Sequence, residues 1–356
     1  MDKVDFKSWK VRSDLAIEAV EQLVGEVSDS KQQGVTQTEA VIEGLKVTCI
    51  DVEKSAEKRV RKKAGRYVSI DTSAIISNER TELIVATKVF AEQLSKLLKH
   101  RGIKEGATCL VVGLGNEHVT PDALGPLVVD EIIVTRHLYE LTPDTVDRDY
   151  REVSAIAPGV MGMTGIETYD VIESVVKKTK PDFLVVVDAL AARAVTRVNK
   201  MIQMTDTGIA PGSGVGNKRK ALNEEALGIP VIAIGVPTVV DAVSITSDTV
   251  DLILKHIGKS VGEESRSYKK LVPQSNVRQT YTENDLPSPE LREKLMGQVG
   301  LLEEEEKRQL ISEVLTPNGF NMIVTPKDID TDIRDLAGLI SNAINQALHP
   351  RVQINN

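Results

Sequence analysis

The sequence is poor in the residues on which many catalytic sites depend. Among its 356 residues, five are histidine and two, Cys49 and Cys109, are cysteine. Two cysteines are too few for a disulfide framework and are typical of a reducing compartment. The histidines stand at positions 100, 118, 137, 256 and 349, so none falls between 138 and 255. We therefore expect neither a histidine-based zinc site nor a Ser-His-Asp triad on the central part of the chain.

Long apolar runs and an excess of basic charge are also missing. No run approaches the roughly 20 apolar residues needed to span a bilayer, and the first ten residues do not form a signal peptide. Lysine and arginine total 44 against 52 acidic residues, and the net charge of -8 argues against a generally basic nucleic-acid surface. We therefore expect a soluble cytoplasmic protein with no membrane partner and no direct nucleic-acid partner.

The order of the predicted elements indicates the α/β class. Short apolar runs that end at Gly113, Asp188 and Gly235 predict buried parallel strands, and helical spacing separates them. Two β-rich pieces at 44–50 and 65–70 predict antiparallel strands added to the same sheet. Helices are predicted around residues 15–23, 83–97, 123–139, 169–178, 250–257, 301–314 and 333–347. The fold class we expect is therefore a mostly parallel twisted sheet flanked by helices, with added antiparallel strands.

The C-terminal third predicts an extension of this fold and no second core. Residues 260–292 are polar and contain Pro273, Pro287 and Pro289, so they predict a long excursion. The segments that follow are mainly helical and do not build a self-sufficient core. We expect a single elaborated catalytic domain over residues 15–356 with a helical C-terminal excursion.

Several short matches to catalytic motifs are weak. Gly113-Leu-Gly-Asn116 begins like a dinucleotide-binding fingerprint, but His118 stands where the third glycine is needed. Asp71-Thr-Ser73 and Asp206-Thr-Gly208 match signatures of pepsin-like proteases, whose all-β structure conflicts with the βα alternation here. The glycine-rich segment 212–219 is predicted to be a surface loop, with contact to an anion or a substrate as the alternative.

Two acidic residues stand at the ends of predicted strands. Asp122 follows the strand that ends at Gly113, and Asp188 ends the strand that begins at Phe183. Because ligands of doubly wound sheets bind outside the carboxyl ends of the strands, both carboxylates can face one crevice. Two close carboxylates can share a proton and activate a water. The residues alone leave open that Asp122 is a helix cap and Asp188 a structural acceptor.

The segments that carry these aspartates resemble a known family. Residues 113–126, 183–193 and 204–219 are similar to the germination proteases of endospore-forming bacteria, and the resemblance runs over nearly the whole chain. It implies a sequence-specific endopeptidase that degrades small acid-soluble DNA-binding spore proteins. It also implies a homotetramer, made as a zymogen in the developing forespore and kept in the spore core, with Asp122 and Asp188 as the catalytic pair.

A segment near the start of the chain resembles the sites that this family cuts. In Arg12-Ser-Asp14-Leu15-Ala-Ile-Glu18 an acidic residue precedes a large apolar one, then Ala and, further on, Glu. The resemblance implies that residues 1–14 are a pro-segment, which the enzyme itself removes by cutting between Asp14 and Leu15. The alternative is that Ser13 or Asp14 caps a helix beginning at Leu15, and both roles can hold together.

A more distant likeness raises the question of a metal. The hydrogenase-maturation endopeptidases have a similar Gly-x-Gly-Asn strand end followed by an acidic residue, and a second strand that ends in Asp. They add a histidine that helps to hold nickel, where this chain has none between 138 and 255. We therefore expect an aspartic-type mechanism with no cofactor and no metal. The alternatives are a metal-dependent endopeptidase with the same aspartates as ligands, and a non-catalytic protein that binds basic partners.

Overall fold

The structure is a computed structural model, and its contacts divide the chain into two compact units. It describes residues 13–24, 34–73, 80–142, 144, 146–147, 149–211, 220–264, 281–282, 285–315 and 322–349. The larger unit comprises the described residues within 12–239 and 325–356, and the smaller unit those within 240–324. That residues 15–356 form a single catalytic domain stays a prediction.

A sheet is the centre of the larger unit. Its strands are β1 (Val35–Ile42), β2 (Leu45–Val52), β3 (Gly65–Asp71), β4 (Cys109–Gly113), β5 (Val153–Ile156), β6 (Phe183–Ala192), β7 (Met201–Thr205) and β8 (Val231–Asp241). They lie in the order β1-β2-β3-β7-β8-β6-β4-β5. β4 pairs in parallel with β5 and with β6, whereas β1, β2, β3, β7 and β8 form successive antiparallel pairs.

Helices cover this sheet on both faces. Those of the larger unit are α1 (Ala16–Val24), α2 (Glu57–Val60), α3 (Arg80–His100), α4 (Leu124–Asp130), α5 (Arg136–Leu141), α6 (Met161–Thr164), α7 (Thr168–Thr179), α8 (Glu224–Leu227) and α12 (Ile329–Leu348). Short 3-10 helices span Thr120–Asp122 and Val195–Arg197. Helices α3, α4 and α12 contribute to one core cluster, and α7 contributes to the other.

Strand β6 shows why the central strands are apolar throughout. Its residues 183, 185 and 187 belong to the core cluster with α3, α4 and α12, while residues 184 and 186 belong to the cluster with α7. Successive side chains of a strand point to opposite faces, so a strand covered on both faces has to be apolar at every position. This is the pattern from which the sequence predicted a buried strand.

The smaller unit is mainly helical. It contains α9 (Ala242–Glu264), α10 (Pro289–Met296), a 3-10 helix at Gly297–Leu301, α11 (Glu304–Leu315) and β9 (Ile323–Val324). β9 pairs antiparallel with Val240 and Asp241, the last two residues of β8, which belong to this smaller unit. Across α9 and α11, Lys307 Nζ lies 2.6 Å from Asp251 Oδ1, and Arg308 Nη1 donates to Ser244 Oγ at 3.2 Å. Among all the helices described, none is long and apolar enough to cross a membrane.

The expected fold class is confirmed: the protein is α/β, with parallel strands, added antiparallel strands and C-terminal helices. The prediction of one helix over 123–139 is wrong in detail, because α4 ends at Asp130 and α5 begins at Arg136. Between them, Thr135 N–H donates to Val153 O at 2.9 Å and its hydroxyl donates to Arg151 O at 2.5 Å. These bonds tie the chain to β5 and interrupt the helix. Residues 265–280 and 283–284 of the expected excursion lie outside the described residues.

Candidate active site

Asp188 lies in a parallel strand next to the one that leads to Asp122. β4 and β6 pair with Gly113 opposite Val187, and Leu114 N–H donates to Val187 O at 2.8 Å. Asp188 follows within β6, is 6% exposed, and accepts the N–H of Ala189 on Oδ1 at 3.0 Å. Asp122 ends the 3-10 helix after β4, and that helix packs against β6. The two aspartates therefore belong to neighbouring elements. The prediction that Asp188 ends its strand is wrong, because β6 continues to Ala192; Asp188 stands one residue beyond the pairing of β6 with β4, which ends at Val187.

Glycines permit the tight turn that positions Asp122. Gly115 has a φ of 116°, and a Cβ there would lie 2.0 Å from the backbone oxygen of Asp122. That oxygen accepts the N–H of Asn116 at 3.0 Å. A Cβ at Gly113 would lie 2.1 Å from the backbone oxygen of Gly125. The glycines that resembled a dinucleotide fingerprint thus allow the backbone of residues 113–115 to contact that of residues 122–125.

The peptide unit of the predicted processing site is docked on the same strand that holds Asp188. Asp14 N–H donates to Ala191 O at 3.1 Å, and Ala191 N–H donates to Asp14 Oδ2 at 2.9 Å. Leu15 and Ala16 have no exposed surface. The next helix, α1, begins at Ala16, one residue later than expected, and the hydroxyl of Ser13 accepts the N–H of Leu15 at 3.0 Å. Ser13 therefore supports the start of the helix while Asp14 is bonded to β6.

Two side chains donate to the carbonyl oxygen of Asp14. Lys62 Nζ lies 2.7 Å from it and 2.9 Å from the carbonyl oxygen of Ser13, and Gln203 Nε2 donates to Asp14 O at 3.2 Å. Burial lowers the pKa of Lys62, and the carboxylates of Asp14 and Glu18 act in the opposite direction. The carbonyl of the bond predicted to be cut is therefore held by an ammonium group and an amide.

The carboxylate of Glu18 is surrounded by donors. It accepts the N–H of Arg193 at 2.8 Å and that of Ala194 at 3.0 Å, and the hydroxyl of Ser13 also donates to it. Arg197 Nη1 lies 3.4 Å away, and Glu18 is 3% exposed. A buried carboxylate needs several donors of this kind. This cluster anchors α1 to the chain that follows β6.

A cavity of about 270 Å³ adjoins residues 13–18, which we call the docked segment. Its lining includes Asp14, Lys62, Tyr67, Leu190 and Gln203. Burial raises the pKa of Tyr67 to about 12, so this hydroxyl stays protonated and donates to Lys63 O at 2.8 Å. The cavity offers space beside the carbonyl of Asp14.

Other candidate chemistries find little support in the geometry. Asp71 and Asp206 do not come together as in pepsin-like proteases, because Asp71 lies opposite Met201 while Asp206 follows the other end of β7. Burial raises the pKa of the thiols of Cys49 and Cys109, so neither is an activated nucleophile. Over the described part of the chain, no group of three or more His, Cys, Asp or Glu residues is placed to hold a metal ion. The glycine-rich segment 212–219 lies outside the described residues.

Four residues of this region were predicted from the sequence, and their roles stay predictions; three others were not predicted. Asp122, Asp188, Asp14 and Leu15 were predicted from strand ends and from the resemblance. The missed residues are Lys62, Gln203 and Arg197, which contact the docked segment. Lys62 lies in a basic run typical of a solvated surface, and Gln203 lies in a strand that was not predicted, so no local signal marks either.

Comparison with known proteins assigns the chain to a family. The model of the germination protease family matches residues 12–356. The germination protease of Bacillus cytotoxicus is 49% identical over 100% of this chain and 98% of its own length, and that of a Geobacillus species is 50% identical over 99% and 97%. Among solved structures, the [NiFe] hydrogenase maturation protease HycI from Thermococcus kodakarensis is 20% identical. It covers 41% of this chain and 80% of its own at a TM-score of 0.27, too weak a likeness to inform the chemistry. The match over nearly all of the chain and the identity of about half of its residues show that the chain belongs to the germination protease family, a family of peptidases.

Proposed function

We propose that this chain is a sequence-specific endopeptidase that initiates the degradation of small acid-soluble DNA-binding spore proteins during germination. Its family supports a peptidase of germination. The main observation in favour of sequence-specific cleavage is the docking of Asp14 on Ala191, three residues beyond Asp188 in the same strand. A peptide unit that matches the expected cleavage pattern is thus bound to the strand that contains Asp188.

The proposed mechanism is of the aspartic type. One of Asp122 and Asp188 is ionised and takes a proton from a water molecule that attacks the peptide carbonyl. The other is protonated, since two close carboxylates do not readily ionise together, and it polarises the carbonyl or protonates the leaving amine. The low exposure of Asp188 supports this assignment, because a shielded site strengthens the interaction between the two groups.

The chain is proposed to be a zymogen. Removal of residues 1–14 by its own active site would leave a mature chain of residues 15–356, as a homotetramer in the cytoplasm of the forespore and in the spore core. Acidification is the proposed trigger, because a site with two aspartates and the docked Asp14 has to take up a proton before it can work. The buried contacts of Leu15 and Ala16 support the presence of an ordered cleavage junction.

One experiment separates this proposal from its alternatives. The purified chain is held at mildly acidic pH, then incubated with a small acid-soluble spore protein, with and without a strong chelator. An aspartic endopeptidase cuts the substrate equally in both samples. Loss of cleavage in chelator, with rescue by one specific metal, would favour a metallopeptidase that uses the same aspartates as ligands. Tight binding without cleavage would instead indicate a binding protein for basic partners.

A further inference from the structure

The ammonium group of Lys62 occupies an unusual position. It lies 2.7 Å from the carbonyl oxygen of Asp14 and 2.9 Å from that of Ser13. The side chain is partly exposed; burial lowers the pKa of the ammonium group, and the nearby carboxylates of Asp14 and Glu18 raise it. Its position at the carbonyl of the bond predicted to be cut favours a role in the cleavage of that bond.

Three sets of contacts hold the peptide unit at Asp14 in one orientation. Its N–H donates to Ala191 O and its carboxylate accepts Ala191 N–H, which fixes the residue on β6. Lys62 and Gln203 then donate to its carbonyl oxygen at 2.7 and 3.2 Å. Gln203 is itself oriented, because its Oε1 accepts the N–H of Ala16 at 2.6 Å. Gln203 thus contacts the chain on both sides of the bond between Asp14 and Leu15, as a donor to Asp14 O and as an acceptor from Ala16 N–H.

Such an arrangement has a defined use in peptide hydrolysis. When water adds to a peptide carbonyl, negative charge develops on the carbonyl oxygen, and donors fixed at about 2.7–3.1 Å stabilise that charge without having to reorganise. A buried ammonium is the strongest such donor that this chain places at the bond, and the low local dielectric increases its effect.

We propose that Lys62, assisted by Gln203, forms the carbonyl-oxygen site of this peptidase. The two side chains hold and polarise the carbonyl of the residue that precedes the cut bond, first in the pro-segment and then in protein substrates. The inference deepens the proposed function and rests on its cleavage site between Asp14 and Leu15.

The chemistry then balances as follows. The water oxygen bonds to the carbonyl carbon of Asp14 while one aspartate carboxylate takes the water proton. The carbonyl electron pair moves to the oxygen held by Lys62 and Gln203. The bond to the nitrogen of Leu15 breaks as that nitrogen takes the proton of the other aspartate, and the carbonyl forms again. Since Lys62 polarises the carbonyl, the protonated aspartate remains available to donate its proton to the leaving amine.

Removal of residues 1–14 would free this site for substrates. Asp14 leaves with the pro-segment, which opens the backbone of Ala191, the ammonium of Lys62 and the adjoining cavity of about 270 Å³. The N–H of Ala191 and the charge of Lys62 both favour a carboxylate, which agrees with the acidic residue that the resemblance places before the cut bond.

The test follows the rate at which the full chain converts itself. Lys62→Met, Lys62→Arg and the wild-type chain are held at mildly acidic pH, and the appearance of an N-terminus at Leu15 is quantified by sequencing. Loss of one oxyanion donor typically costs about 100- to 1,000-fold in rate, so we expect a loss of that size in Lys62→Met and substantial retention in Lys62→Arg. Lys58→Met, which removes an exposed charge from neighbouring α2, is the matched control and should convert normally.

Folding is monitored in parallel by thermal unfolding. Should Lys62→Met fail to unfold cooperatively, Gln203→Glu serves instead: it keeps the oxygen that accepts Ala16 N–H and removes the amide donor to Asp14. We expect it to slow conversion at least about 10-fold.

The outcomes separate this inference from the proposed function. A folded Lys62→Met chain that converts as fast as the wild type, or faster, overturns the inference alone; faster conversion would mean that Lys62 restrains the segment. A wild-type chain that never yields an N-terminus at Leu15 overturns the proposed cleavage site and this inference together.

Discussion

Thr238 donates a hydrogen bond from its hydroxyl to the backbone oxygen of Pro121 at 2.6 Å. Thr238 belongs to β8 and has no exposed surface, while Pro121 directly precedes Asp122. Thr238 is held in turn by Thr325, whose hydroxyl donates to its backbone oxygen at 2.9 Å. The turn that presents Asp122 is therefore fixed by a distant strand as well as by its own glycines.

Replacing Thr238 by valine should loosen that turn. Thr238→Val keeps the shape but leaves the carbonyl of Pro121 without this donor, at a cost of about 1–3 kcal/mol. We expect an activity loss of roughly 10-fold, since a small displacement of a reacting group is costly. Denaturant unfolding and substrate cleavage measure the two effects. Thr249→Val, which removes an exposed hydroxyl bonded within α9, is the control; equal activity in both variants would contradict the link between Thr238 and Asp122.

The aspartate pair can be tested with nearly isosteric amides. Asp122→Asn and Asp188→Asn should each abolish cleavage, a loss of at least about 100-fold, because an amide cannot exchange the proton. Unfolding midpoints should stay close to the wild-type value. Asp71→Asn is the control, since Asp71 belongs to the rejected pepsin-like signature and its carboxylate accepts the N–H of Ser73. Ordinary activity in either Asp122→Asn or Asp188→Asn would rule out the pair.

The donors around Glu18 should keep the start of the mature chain in place. In Glu18→Gln one oxygen can no longer accept, so the N–H groups of Arg193 and Ala194 lose part of their bonding, at a cost of about 1–3 kcal/mol. We expect faster amide hydrogen exchange over residues 13–24. Glu21→Gln, at an exposed position that also pairs with Arg197, is the comparison. Equally fast exchange in the two variants would show that Glu18 does not hold residues 13–24 more firmly than Glu21 does.

His349 should make the fold sensitive to acid. Its Nδ1 accepts the N–H of Arg151 at 3.2 Å, so Nε2 carries the proton and donates to Ile133 O at 3.1 Å. Burial lowers the pKa of His349 below its usual 6.5. The unfolded chain then binds a proton more readily, so stability falls as the pH drops below 6.5, by at most about 1.4 kcal/mol per pH unit from this group.

The measurement is the free energy of unfolding between pH 7 and about pH 5. His349→Gln should show a shallower decline than the wild-type chain, and His137→Gln, at an exposed position, should follow the wild type. A His349→Gln chain whose stability declines as steeply as the wild type would place the acid sensitivity elsewhere.

Local patterns in the sequence were sufficient to predict the central strands, and the catalytic role of the two aspartates stays a prediction. β4, β6 and β8 are buried along almost their whole length, so continuous apolar runs predicted them. Asp122 and Asp188 were predicted because each follows one of those apolar runs, although β6 continues past Asp188 to Ala192. β1 was missed because most of its residues are exposed or partly exposed and carry no such run. β5 was missed because it is short and only its first residue is buried.

The site around Asp14 depends on strand pairing that no local pattern contains. Lys62 precedes β3 and Gln203 lies in β7, far apart in sequence, and they meet because β3 and β7 pair with Ser69 opposite Gln203. The sequence alone determined the α/β class, the two aspartates that follow apolar runs and the likeness of residues 12–18 to a cleavage site. Only the tertiary structure decided which side chains hold that segment, because the order of strands in a sheet follows from the packing of distant elements and not from the spacing of neighbouring residues.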